Sequence, residues 1–381
     1  MPLIMPDKKI NPLDLGVSKP ENKTFSIRLA NYFLDLLGVP VKEKLIFIQN
    51  LSVMIKASIP VLAAFRTLAE QTENKQFRRI LKEISLKLEQ GLTLTESMRP
   101  YPKVFNELFI NMVNSGEVSG KLEEVLHYLH LQIKKQYTLT MRIKSALTYP
   151  LIVVAAMIGI GFFMMIFVIP KITSVFTEYK VTLPLATRIL IGVSNFLANH
   201  WLISLLIIGA VIFIFIKILK TRKGKYFFQT IALHTPIFGP IIKKVNLASF
   251  SRTTSSLLKT DISIVNAFQI TANILGNLRY REVVTEIGEK IKKGGQINEV
   301  VKNYPKFFPP MVTQMITVGE QTGEITSILE DLAVFYEEEV DQTMQNLPSI
   351  IEPLLVLLLG VGVGAVAIAI IMPMYYLTET I

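Results

Sequence analysis

The sequence predicts an all-α membrane protein with two homologous cytoplasmic helical bundles and three transmembrane helices. Half of its 381 residues are hydrophobic and only 18% are charged, whereas a soluble globular chain carries about 25% charged residues. Three apolar stretches reach the length of about 20 residues that a bilayer crossing requires. A long segment also occurs twice, which indicates duplicated structure.

The three predicted spans cover residues 146–170, 200–219 and 350–373. The first has no charged residue between Lys144 and Lys171, and the second contains the run LISLLIIGAVIFIFIKIL. Long core helices of a soluble protein are the alternative. The length and purity of all three stretches favour membrane spans.

Lysine and arginine near the span ends predict the orientation, because these residues concentrate on the cytoplasmic side. They lie before the first span and after the second, at Lys134, Lys135, Arg142, Lys144, Lys217, Lys220, Arg222, Lys223 and Lys225. We therefore expect residues 1–145 and 220–348 to be cytoplasmic, with the first bundle at 41–145, and the 171–199 loop and the 374–381 tail to lie outside. Residues 1–40 are predicted to be a flexible N-terminus with a short amphipathic helix, FSIRLANYFLDLLG.

The net charge of +10 fits this membrane flank better than it fits a nucleic-acid partner. The chain contains no cysteine, which excludes disulfides and thiolate sites.

The repeat runs at one offset of 203 residues, so that Phe47 matches Phe250. Other matched positions include Gly91 with Gly294, Tyr101-Pro102 with Tyr304-Pro305, Phe105 with Phe308, Pro150 with Pro353 and Pro170 with Pro373. Each copy is a cytoplasmic bundle followed by one span, and the second copy begins near residue 244. Because both copies end outside, the second span must bring the chain back.

Within each copy, apolar residues recur at spacings of three and four, which is typical of helices. Gly91 and Gly294 follow charged amphipathic stretches and predict helix ends. The run GLTLTES (91–97) predicts a new helix start with a capping Thr. No run of alternating apolar and polar residues predicts a strand.

One motif in the repeat raises the question of chemistry. Residues 112–126 read MVNSGEVSGKLEEVL and residues 315–329 read MITVGEQTGEITSIL. A Walker A phosphate loop needs four residues between its glycines and Ser or Thr after its Lys, but here three intervene and Leu122 follows Lys121. A divalent cation could use Glu117, Glu123 and Glu124, yet the second copy keeps only the first of these carboxylates, as Glu320.

A helix corner explains the motif better. The residues that persist are Gly116, Glu117, Gly120, Gly319, Glu320 and Gly323. We expect an apolar helix to end near Val113 or Ile316, with Gly116 and Gly319 at the turn. Glu117 and Glu320 would then accept backbone N–H groups at the start of the following helix, near Gly120 and Gly323. The motif is predicted to be structural or to contact a partner, and no catalytic, cofactor or metal residue is expected.

The copies differ in charge at one helical surface. Lys134 and Lys135 of the first copy align with Glu337 and Glu338 of the second. We hypothesise that these surfaces face different partners, or pair with each other across a dimer. Two solvated faces are the alternative.

These features together resemble the inner-membrane platform proteins of type II secretion and type IV pilus assembly, the F family (GspF/PilC-like). The resemblance covers residues from about 40 to the end. It rests on the doubled helical domain, the Gly-Glu-x-x-Gly corner, the Tyr-Pro-x-x-Phe segment (101–105 and 304–308), and Leu183-Pro184-x-x-Thr187.

The resemblance implies a non-enzymatic scaffold without cofactors, located in the inner membrane. Its implied partners are a hexameric assembly ATPase, pilin or pseudopilin subunits and other inner-membrane assembly proteins, with no nucleic acid. Gly360 and Gly364 place small residues on one face of the third span, as in helix pairs that associate in lipid. They indicate a homo-oligomer or packing within the chain. A membrane transporter or permease subunit is the alternative function, and it would need a polar path through the spans.

Overall fold

The computed structural model describes residues 38–172 and 185–380, and these residues are helical without a strand. The predicted all-α class is therefore confirmed. The described residues up to Asn106 form one compact unit, and those from Glu107 onward form another. This division falls inside the predicted first bundle at 41–145. The predicted amphipathic helix near the N-terminus lies outside the described residues.

The first unit is a helical bundle around an aromatic core. Its helices are α1 (Val41–Lys56), α2 (Val61–Gln71), α3 (Lys75–Glu89) and the short α4 (Leu94–Met98). The Phe47 ring lies 5.5 Å from that of Phe65 and 5.3 Å from that of Phe77. Phe105 closes the cluster 6.4 Å from Phe77. All four rings are buried, so the apolar residues of the 3.6-residue period meet here.

Local capping fixes the helix ends of this unit. Asn74 accepts a hydrogen bond from the Phe77 N–H at 2.9 Å. Gly91 takes a left-handed conformation, with φ of 85°, just after α3, as the sequence predicted. Thr93 and Glu96 form a reciprocal capping box at the start of α4, which confirms the predicted capping Thr.

The second unit contains the spans and the second copy of the repeat. Its helices are α5 (Glu107–Ser119), α6 (Leu122–Phe163), α7 (Leu185–Asn199), α8 (Trp201–Lys220), α9 (Arg222–His234), α10 (Phe238–Leu258), α11 (Ile264–Ile274), α12 (Leu278–Lys292), α13 (Ile297–Val301), α14 (Pro310–Thr322) and α15 (Ile325–Thr380). A π-helical turn, Met164–Val168, follows α6.

The duplication is visible in the helix boundaries. Helices α2 to α5 begin and end at positions that match α11 to α14, and α6 and α15 begin at matching residues. The aromatic core also recurs, with the Phe250 ring 6.0 Å from Phe268 and 5.5 Å from Phe308. A hydrogen bond from a tyrosine hydroxyl recurs too. Tyr101 donates to Glu83 on α3, and Tyr304 donates to Glu286 on α12, both at 2.6 Å.

The three predicted spans are confirmed as helices long and apolar enough to cross a membrane. Two of them are not separate elements. Helix α6 runs from the helical bundle of the first copy into the first span, and α15 runs likewise from the second copy into the third. The predicted span boundaries at 146 and 350 therefore fall inside continuous helices.

The predicted 171–199 loop contains helix α7, which the sequence reasoning missed because α7 is too short to span a bilayer. The α7 residues hydrogen-bond to the backbone of both neighbouring spans. Thr187 Oγ1 donates to the Ala369 carbonyl at 2.8 Å, and buried Ser194 donates to the Met165 carbonyl in the π-helical turn at 2.5 Å. Leu183 and Pro184 of the family motif lie outside the described residues.

Helices α6, α10 and α15 converge next to the first and third spans. We call this three-helix packing the stalk. Its buried core consists of Ile241, Val340, Met344, Leu347 and Ile351, packed against Ile143 and Leu147 of α6. The helices that lead into the first and third spans are thus held together.

The capping box makes a prediction about pH. The backbone bond from Thr93 lowers the pKa of the Glu96 carboxyl below its ordinary value of 4.5. A carboxyl whose pKa is lower in the folded state stabilises the protein above its unfolded pKa, and this stabilisation is lost as pH falls through the folded pKa. We expect Glu96→Gln to lower the Tm of the full chain in detergent near neutral pH. The difference from wild type should shrink in acid below 4.5, and a difference that is constant with pH would contradict the assignment.

Candidate functional site

The Gly-Glu-x-x-Gly motif is a helix corner, but the turn lies later than the sequence suggested. Helix α5 continues through Gly116 to Ser119, and α14 continues through Gly319 to Thr322. The expected helix ends near Val113 and Ile316 were therefore wrong. The turns come at Gly120 and Gly323, whose φ values of 72° and 78° are left-handed and favour glycine.

Gly116 and Gly319 do not form the turn. They lie inside helices and allow the following helix to pack closely against them. A Cβ on Gly116 would lie 3.0 Å from Val125 Cβ and 3.2 Å from Leu122 Cα. A Cβ on Gly319 would meet the matching residues, 3.0 Å from Ile328 Cγ1 and 3.2 Å from Ile325 Cα. The next helix therefore crosses so closely that a Cβ at these positions would force the facing atoms to move by a few tenths of an ångström.

Glu320 caps a different helix from the one predicted. Its carboxylate accepts the N–H groups of Ile297 at 2.6 Å and Asn298 at 3.2 Å, at the start of α13. Gln296, the residue before α13, makes no side-chain cap, so Glu320 supplies it from 23 residues away. The expectation that Glu320 caps α15 was wrong. Glu117 lies half-buried at the matching position of α5, and a role of the motif in partner contact stays a prediction.

The first corner also contacts the second copy of the repeat. Ser115 Oγ donates to the Thr260 carbonyl at 2.6 Å, and Lys121 Nζ lies 2.8 Å from Asp261 Oδ2. The hydrogen bond that Lys121 donates to Asp261, together with the negative charge of that carboxylate, raises the pKa of the Lys121 ammonium. A phosphate at Lys121 would therefore meet a carboxylate, which argues against the nucleotide interpretation. We call this contact between the two copies, together with the neighbouring contacts described next, the repeat joint.

Buried polar groups continue the repeat joint along α6 and α10. Gln132 is only 4% exposed. Its amide donates to Thr253 Oγ1 at 3.1 Å and accepts from Ser256 Oγ at 3.1 Å. The sequence signal was the run RTTSS (252–256) in a helix of an otherwise apolar core, which our sequence analysis did not single out. Such groups can be buried because each finds a hydrogen-bond partner.

A charged cluster completes the repeat joint. Glu337 accepts from Arg252 Nε at 2.8 Å and Nη2 at 3.1 Å, and from Lys135 Nζ at 3.0 Å. The Arg252 and Glu337 side chains are 16% and 14% exposed, so the bidentate pair is largely screened from water. Of the four residues in the predicted charge surfaces, Lys135 and Glu337 pair within one chain, whereas Lys134 and Glu338 are exposed. A contact across a dimer stays a prediction.

A groove of about 600 Å³ lies beside the repeat joint, among α6, α10 and the segment after α11. Its walls are mainly apolar and include Leu139, Ile143, Ile241 and Leu347. Among the described residues, no group of three or more His, Asp or Glu side chains is placed to hold a metal ion. The groove therefore belongs to the contact between the two copies within one chain.

The repeat determines the family. A model of the type II secretion system (T2SS) protein F matches residues 47–170 and again residues 250–373, which together make up more than half of the chain. The chain belongs to the T2SS protein F family. The two F-family matches lie at the same offset as the internal repeat.

Relatives of this F-family chain carry both pilus and secretion names. The type IV pilus assembly protein PilC of Thermus thermophilus is 35% identical over 90% of this chain and 84% of the relative. PilC of Pseudomonas aeruginosa is 31% identical over 91% of this chain and 94% of its own length. The type II secretion system protein F of Aeromonas hydrophila is 29% identical, over 92% and 89%.

The close crossing at the corner predicts the effect of a single methyl group. We expect Gly319→Ala or Gly116→Ala to lower the free energy of unfolding by about 1–3 kcal/mol, because the Cβ overpacks against the next helix. Gly276→Ala is the control, since it would meet no atom within 4 Å. Thermal unfolding of the full chain in detergent measures all three, and an unchanged Tm in Gly319→Ala would contradict the packing role.

Because Glu320 caps α13 from a distance, a local capping residue at α13 should restore stability when Glu320 is removed. Glu320→Ala should cost about 1–3 kcal/mol, because two backbone N–H groups lose a charged acceptor. Adding Gln296→Thr should recover about 1 kcal/mol, since Thr followed three residues later by Glu299 recreates the capping box of α4. Chemical denaturation of the three proteins tests this, and a Glu320→Ala protein as stable as wild type would exclude the capping role.

Proposed function

We propose that this F-family chain is a non-enzymatic platform in the inner membrane, within a type IV pilus or type II secretion machine. It couples a cytoplasmic hexameric assembly ATPase to the insertion of pilin or pseudopilin subunits into the fibre. The names of its relatives support a role in one of these two machines. The specific coupling rests on the architecture described next.

The continuity of α6 and α15 is the observation that carries the proposal. These helices are 42 and 56 residues long and pass from the cytoplasmic repeats into the first and third spans without a loop. The stalk packs them against each other with buried side chains. Because packed helices transmit displacement, a movement imposed on the cytoplasmic repeats tilts or rotates the spans.

The proposed cytoplasmic location of the bulk has two supports. The repeat joint brings residues before the first span into contact with residues after the second, as in Lys121 with Asp261, so these parts belong on one side. The acidic residues that precede the third span do not contradict a cytoplasmic location, because their charges are balanced by nearby Lys and Arg. Glu337, Glu339 and Asp341 form ion pairs with Lys135, Arg252, Lys244 and Arg142.

A flexible insertion tests the mechanical link. We expect a four-residue Gly-Ser insertion after Ser145, just before the first span, to reduce fibre assembly at least about tenfold, because it uncouples the repeat from its span. The variant should still reach the membrane and co-isolate with the assembly ATPase. The same insertion after Glu73, in the exposed connection between α2 and α3, is the control and should leave assembly near the wild-type level.

Two outcomes would contradict the proposal. Wild-type assembly by the Ser145 insertion would exclude coupling through α6. Recovery of neither an assembly ATPase nor pilin-like proteins with the wild-type chain, together with substrate uptake by the purified chain in vesicles, would favour the transporter.

A further inference from the structure

Helix α9 begins directly at the end of the second span and bends back beside it. Only Thr221, which is extended with ψ of 146°, separates α8 from Arg222 at the start of α9. The Phe228 ring of α9 lies 5.3 Å from the Phe215 ring of α8. In one straight helix these two residues would lie about 20 Å apart, which is more than two Phe side chains can bridge. The chain therefore turns at Thr221, and α9 runs beside the end of the span instead of away from it.

One face of α9 is fixed to the second repeat. The Arg279 guanidinium lies 4.2 Å from the centroid of the Tyr226 ring. Gln229 donates to the Gly276 carbonyl at 3.0 Å and accepts the first N–H of α12 at 2.9 Å. Leu233 is buried. These contacts determine which side of α9 is left without a protein neighbour.

The opposite face of α9 is apolar. A helix turns about 100° per residue, which places Phe227 and Ile231 on one side and Tyr226 and Leu233 on the other. Phe227 and Ile231 are 60% and 47% exposed, and the Phe228 ring lies beside Phe227 at 5.6 Å. We call Phe227, Phe228 and Ile231 the α9 apolar strip. Large apolar side chains exposed together on one helix face mark a contact surface.

The α9 apolar strip is continuous with the surface of the second span. Its Phe228 contacts Phe215, which is itself 47% exposed on a helix apolar enough to cross a membrane. The outer surface of such a helix faces lipid. The neighbour that already covers Phe215 therefore lies next to the strip as well.

Positive charges flank the α9 apolar strip. Lys223 lies at the edge next to Phe227, and Lys225 lies at the edge next to Phe228, by their positions around the helix. Three further cations stand at the junction of α8 and α9, namely Lys217, Lys220 and Arg222. Between Glu178 and Asp261 the sequence contains no Asp or Glu, so no carboxylate of this segment balances them. The surface that meets the strip must therefore combine apolar groups with negative charge.

We propose that α9 lies in the surface of the bilayer beside the second span and binds the head groups of anionic phospholipids. Phe227 and Ile231 enter the boundary between head groups and acyl chains, as in other amphipathic helices that lie in the interface. The stems of Lys223 and Lys225 extend along the strip, and their ammonium groups reach the lipid phosphates. A bilayer fits better than a soluble acidic protein, because the strip adjoins the span and a protein would have to displace lipid there.

Lipid bound at α9 holds the second repeat against the membrane. The side of α9 that contacts Arg279 and Gly276 belongs to this repeat, and the other side meets the head groups. The inference depends on the second span crossing a bilayer. It does not depend on the proposed coupling to an ATPase, or on which side of the membrane is cytoplasmic.

A fluorescent probe tests where the α9 apolar strip lies. The chain has one Trp, Trp201, so Trp201→Phe with Phe227→Trp places a single Trp on the strip. The full chain is put into nanodiscs of phosphatidylcholine with about one-third phosphatidylglycerol. Lipids brominated on the acyl chain quench a Trp that they touch, whereas iodide quenches a Trp in water. We expect brominated lipid to quench this Trp at least about twofold more, and iodide at least about twofold less, than a Trp exposed to water.

The control probe is Val318→Trp, also with Trp201→Phe. Val318 is 46% exposed and lies at the end of α14, near the start of α15. From there α15 rises about 35–40 Å before it reaches the third span. Iodide should therefore quench the control, and brominated lipid should not.

The same discs test the charge of the head group. Either phosphatidylglycerol or phosphatidylcholine is brominated, at equal mole fractions, and we expect brominated phosphatidylglycerol to quench the Phe227→Trp probe about twofold more. Adding Lys223→Gln with Lys225→Gln should lower this excess at least about twofold, because two cations near the surface are lost. Lys292→Gln with Lys293→Gln is the matched control. It removes the same charge at the far end of α12, about 20 Å from the contact with Gln229, and should leave the excess unchanged.

Three results would overturn the proposal. Iodide quenching of the Phe227→Trp probe as strong as that of the control places the strip in water. A probe shielded from both iodide and brominated lipid is covered by protein. Equal quenching by the two brominated lipids, or an excess that Lys223→Gln with Lys225→Gln leaves unchanged, excludes binding of anionic head groups at α9.

Discussion

The carboxylate of Glu337 connects the three helices on which the membrane-proximal structure depends. It lies on α15 and is held by Arg252 of α10 and Lys135 of α6. A largely buried carboxylate without partners would cost several kcal/mol, so the pairs of Glu337 with Arg252 and Lys135 favour the register in which these helices pack. The apolar core of the stalk then packs in that register, and the spans that continue from α6 and α15 inherit it. Along these helices, the charged contacts of Glu337 are thus followed by the apolar core of the stalk.

The two copies share what the backbone needs and differ in what each copy contacts. Gly120 and Gly323 are both left-handed, and Gly116 and Gly319 both admit a closely crossing helix. By contrast, Lys121 and Glu324 occupy matching positions, and only Lys121 faces Asp261. Duplication thus supplied one bundle design, and surface residues that differ between the copies form the contact of the first corner with the second copy. The motif that first suggested a phosphate loop is an example, because its Lys121 contacts Asp261 in the repeat joint.

Local signals in the sequence were sufficient for part of this structure. The spans follow from apolar length, and the ends of α3 and α12 follow from Gly91 and Gly294, because these depend on neighbouring residues alone. The course of α5 through Gly116 could not be predicted in this way. Glycine is a poor helix former, and only the contact with Val125 shows why it is tolerated. The cap from Glu320 to α13 and the pair of Lys135 with Glu337 are also tertiary, since no pattern within a window of sequence links their partners.

The repeat joint also constrains the membrane topology of the chain. Gln132 precedes the first span and Thr253 follows the second, yet they share a hydrogen bond. They can meet only if the chain has crossed the bilayer an even number of times between them. A chain in which one of these spans failed to insert would place Gln132 and Lys135 on the opposite side of the membrane from Thr253 and Glu337, so both of these contacts would be lost. Formation of the repeat joint therefore requires that both spans have crossed the membrane.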